Sequence, residues 1–338
     1  MSGKKIGVVL FQLGGPDSPD AIEPFLYNLF CDPEIIDFPL AKVARPLLAK
    51  FISKGRAKKV QHHYGHIGGY SPIRELTERQ ARALETELRQ ELDARVFVAM
   101  RYWRPFTAEA VARVREAGCR ELVLLPLYPQ YSSTTTGSSL NEWERRCRDV
   151  SYHPRATVIR DFYRSPEYLD ALASRIESTF ERFDNPAGVH LVFSAHSVPI
   201  SVIQKGDPYQ AQIEETVKLV MRRGGWRNPY TLCYQSKVGN QKWLQPSLHE
   251  TIERLGSHGT GKLLVVPIAF VSDHVETLAE IDIVAREEAA EHGIGQFEMM
   301  PGLNDDPPFI RALATLVYDA VGLAPAQSRR TATAASAG

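Results

Sequence analysis

One histidine and three carboxylates stand out in this chain as residues whose types and spacing could do chemistry. His196 ends the apolar run LVFSAH, which is typical of a buried strand. Asp273, Glu276 and Glu280 follow another apolar run, and in a helix beginning near Ser272 they would lie at i, i+3 and i+7 on one face. A histidine that faces such carboxylates in an apolar cleft can pass protons to water, or it can bind a divalent metal together with carboxylate oxygens.

Each of these features also has a structural explanation. Histidines at strand ends are commonly structural or solvated, and acidic residues at a helix start complement the helix dipole. The dipole does not explain three acids in line beside a second strand exit that carries His196. His274 lies off the acidic stripe, where it could support the carboxylates. Neither H-E-x-x-H, nor a facial triad, nor G-x-S-x-G is evident, so we expect neither a hydrolytic zinc site nor a serine hydrolase.

Short aliphatic runs alternate with helical patterns along the chain, which predicts βαβ units and parallel sheets. We expect strands near residues 6–11, 95–100, 121–127 and 156–160, and again near 189–195, 230–234, 262–270 and 296–300. Helices are expected over stretches such as 75–92 and 107–117. Because ligands bind at the carboxyl ends of parallel strands, the polar segments that follow these strands should face one cleft between the halves.

The two halves of the chain repeat each other. ELVLLPLYPQYSSTTTG from residue 121 matches KLLVVPIAFVSDHVETL from residue 262 in its strand, proline and polar exit. The first two strands are 86 positions apart in the first half (Phe11 to Phe97) but 39 apart in the second (Phe193 to Leu232). The first half therefore carries an insertion, most simply within residues 16–70.

The insertion contains a basic amphipathic segment at residues 38–60, and no acidic residue occurs between Asp37 and Glu75. Its apolar residues at helical spacing are Leu40, Val43, Leu47, Leu48, Phe51 and Ile52. Such a segment could form a lip over an apolar ligand or rest on an anionic membrane surface. The alternative is an ordinary surface helix that packs its apolar face on the body. Pro46 predicts that the helix is interrupted or begins there.

Composition limits the remaining function classes. Forty basic and forty acidic residues give no formal net charge, which argues against a dedicated nucleic-acid binder. The four cysteines lie far apart without a C-x-x-C pair, so neither a disulfide framework nor a cysteine-bound metal cluster is signalled. The turn LGGP is not G-x-G-x-x-G, which disfavours dinucleotide binding. No apolar run of about 18 residues and no signal-peptide pattern occurs, so we expect a cytoplasmic protein.

Several long motifs, in order along the chain, resemble those of ferrochelatases, the enzymes that insert ferrous iron into a porphyrin to make heme. These motifs are GGP at Gly14, IGGYSPI at Ile67, RYWRP at Arg101, YPQYSSTTTGSSLN at Tyr128, FSAHSVP and KGDPY, QSKVG with Trp243, and IAFVSDHVETLAEID at Ile268. They span nearly the whole chain, and chance agreement of all of them in order is negligible.

The resemblance implies an α/β fold of two Rossmann-like lobes, each with a four-stranded parallel sheet flanked by helices, and a cleft between the lobes. The expected division is a first lobe at residues 3–165, with the lip insertion at about 16–70, and a second lobe at 166–305. A final helix at 306–323 should pack back on the first lobe. Residues 324–338, rich in Ala, Ser, Thr and Arg, are expected to form a disordered tail.

The resemblance also implies roles for individual residues. His196 and Glu276 are expected to carry catalysis and metal binding, and Asp273, Glu280 and His274 to lie along the path of protons or metal. The residues expected to contact the porphyrin are Leu13, Arg101, Tyr102, Tyr128, Ser132 and Trp243. Whether His196 takes the pyrrole protons or first binds iron stays open.

Three departures from the family pattern refine these expectations. Animal members carry a cluster cysteine at the position of Ser133 and others near the C-terminus; here both are missing, so we expect no 2Fe-2S cluster and no tightly bound cofactor, with Fe²⁺ as a substrate. Coproporphyrin-using relatives typically have tyrosine where this chain has Leu13, which favours protoporphyrin IX. A transit peptide is missing, which suggests a bacterial cytoplasmic protein that contacts the inner membrane peripherally through residues 38–60.

Other functions remain open. A same-fold rival is a coproporphyrin III ferrochelatase, or a chelatase that inserts cobalt or nickel into another tetrapyrrole. A rival from a different class is a bilobal protein that binds or delivers heme without catalysis, which would not need the carboxylates. A monomer and a homodimer are both compatible with the sequence.

Overall fold

The computed structural model describes residues 5–35, 41–237 and 241–323. The expected tail at 324–338, Leu40 of the basic segment and residues 238–239 of the QSKVG motif lie outside these ranges. The side chains of residues 41–43, which include Val43, are also outside the description.

Two four-stranded sheets with the same topology form the frame. The strands are β1 (Ile6–Gln12), β2 (Ala94–Met100), β3 (Glu121–Pro126) and β4 (Arg155–Val158), then β5 (His190–His196), β6 (Tyr230–Gln235), β7 (Lys262–Pro267) and β8 (Gln296–Met299). Their order is β2-β1-β3-β4 in one sheet and β6-β5-β7-β8 in the other, and every pairing is parallel. The predicted α/β fold with two parallel sheets is confirmed.

The central strands are buried because helices cover both faces of each sheet. All seven residues of β1 are buried, as are the five inner residues of β5. β7 ends at Pro267, three residues earlier than expected. The chain turns back there, since the amide of Phe270 donates to the carbonyl of Pro267 at 3.1 Å.

Eleven α-helices occur in the described residues. They are α1 (Ile22–Phe30), α2 (Ala41–Gly65), α3 (Ile73–Leu88), α4 (Thr107–Glu116), α5 (Ser138–Asp149), α6 (Pro166–Phe180), α7 (Ile200–Gln204), α8 (Tyr209–Gly224), α9 (Leu248–Ser257), α10 (Arg286–Glu291) and α11 (Pro307–Ala320). Two π-helical segments, Ser133–Gly137 and Glu276–Ala285, lead directly into α5 and α10. None of the helices in the described ranges combines the length and hydropathy that a membrane span requires.

α1 and α2 lie in the long connection from β1 to β2 and pack against each other beside the end of β1. Their small core consists of Ile22, Phe25, Leu26, Phe30, Ala49, Tyr64 and Tyr102. Leu13 and Val275 pack against it, so the insertion touches the exits of both sheets. α2 continues through Pro46, and the predicted interruption is therefore wrong. The proline lies in the second turn, where it removes a single intrahelical hydrogen bond.

Contacts between the lobes come from the YPQYSS segment and from the chain end. The side-chain amide of Gln130 donates to Thr216 Oγ1 on α8 at 3.1 Å. α11 packs on α3 and α6. Asp305, which lies just before α11, forms a paired salt bridge with Arg79 on α3 at 2.7 and 3.0 Å. These contacts join the part of the chain that carries the first sheet to the part that carries the second.

Candidate active site

The exits of the second sheet bring His196 and Glu276 together. His196 is the last residue of β5, and Glu276 opens the π-helical segment nine positions after β7 ends. The order β6-β5-β7 reverses direction at β5, which is where ligands bind in open parallel sheets. His196 Nε2 lies 3.7 Å from Glu276 Oε2, and the histidine side chain is 36% exposed. Both groups can therefore be reached by a substrate.

Hydrogen bonds orient the imidazole of His196. Its Nδ1 lies 2.6 Å from the carbonyl oxygen of Ser197, so Nδ1 must carry a proton to make this bond. The hydroxyl of Tyr209 donates to the backbone oxygen of His196 at 2.9 Å. In the neutral ring the Nε2 lone pair then faces Glu276. A lone pair and a carboxylate in this arrangement have a place for a cation between them, either a proton or a metal ion.

His274 brings a second imidazole to Glu276. Its Nε2 lies 4.0 Å from Glu276 Oε2, while its Nδ1 lies 3.0 Å from the carbonyl oxygen of Ser272. The ring of Phe270 packs against both imidazoles, with centroid distances of 4.6 Å to His274 and 6.4 Å to His196. His274 is buried, so it can influence Glu276 from inside the protein.

Glu276 and Glu280 share the hydroxyl of Ser236, which lies 2.6 Å from Glu280 Oε2 and 3.2 Å from Glu276 Oε2. One hydroxyl proton cannot serve both carboxylates, so the second hydrogen bond needs a proton on a carboxyl group. Burial and the charge of Glu276 raise the pKa of Glu280 to about 7. The pair of carboxylates can therefore hold one proton near neutral pH.

β6 supplies residues to which the sequence analysis assigned no role. Gln235 pairs in register with His196, donates to the backbone oxygen of Glu276 at 3.0 Å and accepts from Ser194 at 2.6 Å. Ser236 has a φ of +66°, a left-handed conformation that costs a serine about 1 kcal/mol or more. The available signal was the QSKVG motif, because parallel pairing places the end of β6 beside the end of β5.

Asp273 does not lie in line with the other two acids. The helix expected near Ser272 begins at Glu276 as a π-helical segment, so Asp273 lies outside it. The prediction that the three acids share one face of an α-helix is therefore wrong. Asp273 Oδ1 accepts from the amide of Gly302 at 3.0 Å, and Oδ2 accepts from Asn304 Nδ2 at 2.8 Å. The carboxylate of Asp273 is thus hydrogen-bonded to the loop at 302–304. None of the described hydrogen bonds joins Asp273 to Glu276 or Glu280.

Tyr64 connects the insertion to the site. This residue in the last turn of α2 is buried in the small core. Burial, with smaller contributions from the negative charges of Glu276 and Glu280, raises the pKa of its hydroxyl. The spacing of apolar residues along α2 did not distinguish Tyr64 from an ordinary core position.

Three of the six residues expected to contact a porphyrin are partly exposed near strand exits. Leu13 follows β1 and packs on the small core, and Tyr128 follows β3. Trp243 forms an isolated bridge with Pro199, just after β5. The hydroxyl of Tyr128 and Nε1 of Trp243 are buried atoms without a hydrogen-bond partner among the described residues. Both are therefore unsatisfied donors, although neither atom is exposed to solvent.

The other three residues are used inside the protein. Asp32, which is fully buried, accepts from Tyr102 at 2.5 Å and forms a salt bridge with Arg101 at 2.9 Å. Tyr102 is fully buried and Arg101 is 10% exposed. Ser132 is also buried, and its hydroxyl donates to Asp207 at 3.1 Å. The structure does not bring these three side chains to an open face. Asp32 is the unforeseen partner of Arg101 and Tyr102, and Asp207 is that of Ser132.

A closed metal cage is not present among the described residues, since no three His, Cys, Asp or Glu side chains converge on one point. His196 and Glu276 could supply two ligands to a metal ion. The remaining coordination positions would be left to water or to a substrate, as transfer of the ion requires.

Replacing Glu280 with glutamine should change how stability depends on pH. The carboxyl of Glu280 titrates near 4.5 when unfolded and near 7 when folded, so between these values the folded state binds more protons. Its contribution to the free energy of unfolding should be constant below about pH 4.5 and should fall by roughly 1–3 kcal/mol up to about pH 7. Denaturant unfolding of both proteins at pH 4.5 and pH 8 measures the difference. An identical pH dependence would contradict the shifted pKa.

Comparison with known proteins identifies the family. The model of the ferrochelatase family matches residues 5–321. The chain is 48% identical over 319 residues to the ferrochelatase of Geotalea daltonii, covering 94% of this chain and 99% of the relative. It is 49% identical over 318 residues to that of Geotalea uraniireducens, covering 94% and 98%.

A solved structure shares the fold at low sequence identity. The sirohydrochlorin chelatase SirB from Bacillus subtilis subspecies spizizenii, in complex with cobalt, matches with a TM-score of 0.52 and 9% identity, covering 94% of this chain and 95% of that one. This likeness shows the architecture alone, whereas the family model and the relatives cover nearly the whole sequence. The chain therefore belongs to the ferrochelatase family.

Proposed function

We propose that this protein inserts Fe²⁺ into protoporphyrin IX to form protoheme, the last step of heme biosynthesis. Beyond family membership, one observation carries the proposal: His196 Nε2 and Glu276 Oε2 face each other at 3.7 Å at the exit of the second sheet. A porphyrin releases two pyrrole protons as it takes up a divalent metal. The reaction thus needs proton acceptors and a transient place for the metal, and this pair can supply both.

Protons leave the site, in this proposal, through the neighbouring carboxylates. They pass from Glu276 by way of the Ser236 hydroxyl to Glu280, whose pKa of about 7 allows it to accept and release a proton near neutral pH. His274 stays beside Glu276, with its Nε2 4.0 Å from Glu276 Oε2. Asp273 supports this arrangement indirectly by fixing the loop at 302–304 to the start of the π-helical segment.

The porphyrin is proposed to lie against Leu13, Tyr128 and Trp243. Leu13 presents an apolar side chain, which suits the vinyl groups of protoporphyrin IX better than the additional propionates of coproporphyrin III. Arg101, Tyr102 and Ser132 are proposed to position the strand exits rather than to touch the ligand, because their polar atoms bind Asp32 and Asp207.

We propose that catalysis needs no iron–sulfur cluster or other tightly bound cofactor. Ser133, at the position where animal members carry a cluster cysteine, donates from both its amide and its hydroxyl to Asp207, at 2.7 and 2.8 Å. Of the cysteines, Cys119, Cys147 and Cys233 are buried in the lobes. Iron enters this proposal only as a substrate.

Residues 38–60 are proposed to bring a cytoplasmic protein to the surface of the inner membrane. On α2, Phe51 is 77% exposed and Leu47 is 65% exposed, with the exposed Lys50 and Lys54 beside them. Ala49 and Ile52 pack inward on the small core, so the helix has a covered apolar side and an open one. An open apolar strip flanked by lysines suits an anionic lipid surface.

Replacing both Leu47 and Phe51 with serine should weaken binding to vesicles that contain anionic lipid. Each large side chain contributes about 1.5–3 kcal/mol when buried, so the binding constant for the vesicles should fall at least about tenfold. Co-sedimentation with anionic and with neutral vesicles measures the effect. Val150→Ser, which alters an exposed apolar residue on α5's C-cap, is the matched control. Equal binding of all three proteins would contradict the membrane contact.

Anaerobic metal insertion with a panel of tetrapyrroles tests the proposed function. The purified protein is incubated with Fe²⁺ and protoporphyrin IX, coproporphyrin III or sirohydrochlorin, and the rates are compared with protein-free mixtures. We expect rapid insertion into protoporphyrin IX and slow insertion into the other two. Faster insertion into coproporphyrin III or sirohydrochlorin would assign a different substrate. Tight porphyrin binding without any gain in rate would indicate a heme-binding or delivery protein.

A further inference from the structure

Two exposed histidines at the end of α2 point ring nitrogens at each other. His66 Nε2 lies 3.3 Å from His62 Nδ1, and the ring centroids are 4.6 Å apart. His62 lies in the last turn of α2, and His66 follows directly after the helix, four positions later. The mechanism proposed above uses neither of them.

The separation of these two nitrogens suits a shared metal ion. Bonds from zinc to histidine nitrogen are about 2.0–2.1 Å long, and two such ligands in tetrahedral geometry are about 3.3 Å apart. Imidazole is a ligand for zinc, copper, iron and nickel. The two nitrogens are now joined by a hydrogen bond, which a metal ion bound to both would replace.

His63 adds a third imidazole next to the pair. Its ring centroid lies 6.2 Å from that of His62, and its Nδ1 is buried without a hydrogen-bond partner among the described residues. Three imidazole rings therefore cluster where α2 ends.

The same helical turn leads to the active site. Tyr64 follows His63 directly and is buried in the small core, against which Val275, the residue before Glu276, also packs, and α2 contacts the π-helical segment that begins at Glu276. The exposed imidazoles of His62 and His66 thus lie at the end of α2, the helix that contacts the π-helical segment carrying Glu276 and Glu280. A metal held by His62 and His66 is two positions along the chain from Tyr64, which lies in the small core beside the site.

We propose that His62 and His66 form a peripheral binding site for a divalent transition metal, completed by water, from which Fe²⁺ passes on to His196 and Glu276. The binding site stands on its own geometry, whereas the passage of iron rests on the proposed function. Because only two protein ligands face each other directly, the ion is held weakly enough to be released.

Metal titration tests the binding site without reference to activity. Co²⁺ is added to the full chain carrying His196→Ala, which removes one ligand of the active site, and binding is followed by calorimetry and by cobalt absorption. We expect one equivalent that disappears when His62→Ala and His66→Ala are added. His153→Ala, which removes an exposed histidine outside the cluster, is the control and should retain it. An unchanged stoichiometry in the double replacement would overturn the site.

Iron kinetics test the passage of iron separately. In an otherwise wild-type chain, His62→Ala with His66→Ala should raise the KM for Fe²⁺ about tenfold while kcat and the KM for the porphyrin stay the same. Loss of cobalt binding with an unchanged KM for Fe²⁺ would overturn the passage and leave the site standing. If the wild type inserts no iron, the proposed function fails, whereas the cobalt titration still decides whether the site exists.

Discussion

Replacing His196 with alanine is expected to lower kcat/KM for iron insertion into protoporphyrin IX by about 10²–10⁴-fold. The reason is that Nε2 of this residue provides the lone pair that faces Glu276 at 3.7 Å. His274 does not replace it, because that ring is buried and anchored to the carbonyl of Ser272. Initial rates under anaerobic conditions, at several concentrations of each substrate, measure the change.

The His196→Ala protein should keep its fold, because the side chain is 36% exposed at a strand end and its loss opens little space in the core. A Tm close to that of the wild type would show this. His153→Ala serves as the matched control and should insert iron at the wild-type rate. Added imidazole should restore part of the activity of His196→Ala, and retention of full activity without imidazole would remove this residue from the mechanism.

Replacing Glu276 with glutamine should lower kcat about 10²-fold or more, with little change in the affinity for the porphyrin. Glutamine keeps the size and can still accept from Ser236, but it has neither a negative charge for the metal nor a site for a proton. The charge of Glu276 also helps to raise the pKa of Glu280. Without it, the pKa of Glu280 should fall, and any step of the pH–rate profile that depends on this group should move to lower pH.

The control for this variant is Glu253→Gln, which removes an exposed carboxylate of α9 and should leave both the rate and the pH profile unchanged. Equal rates for wild type and Glu276→Gln would remove the carboxylate from the mechanism. A reduced rate with an unshifted pH profile would separate metal handling at Glu276 from proton release through Glu280.

The fold could be predicted because its signals are local and repeated. Each buried strand appears in the sequence as a short aliphatic run, and the repeated runs at residues 121 and 262 became the equivalent strands β3 and β7. His196 could be placed for the same reason, since an apolar run that ends in a histidine puts that residue at the carboxyl end of a strand. Parallel topology then determines which exits share an edge.

The hydrogen-bond and salt-bridge partners of individual polar side chains could not be predicted, because these partners lie far away in sequence. Asp32, about 70 positions away in sequence, binds Arg101 and Tyr102. These two residues were expected to contact the ligand, but they form a buried network with Asp32 instead. Asp273 is captured by Gly302 and Asn304, about 30 positions later. Periodicity shows on which face a residue would lie in a regular helix, but it does not show which distant group will satisfy its hydrogen bonds.

The π-helical segment shows the same limit in the backbone. The acids at 273, 276 and 280 were spaced for an α-helix beginning near Ser272, whereas the segment begins at Glu276 with wider, i to i+5 turns. Glu276 and Glu280 still meet, but they do so through Ser236, which directly follows the neighbouring strand β6. The proximity of these two acids was therefore predicted from a helical geometry that was wrong, and their role in proton transfer stays a prediction.

The most direct measurement is the rate at which protoporphyrin IX already bound to the protein takes up iron. The complex is mixed rapidly with Fe²⁺ under anaerobic conditions, and the porphyrin absorption is followed through a single turnover. If His196 and Glu276 act as proposed, the bound porphyrin is metallated at least about 10²-fold faster than free porphyrin in the same buffer. A porphyrin that binds stoichiometrically but takes up iron no faster than it does in solution would contradict catalysis at this site.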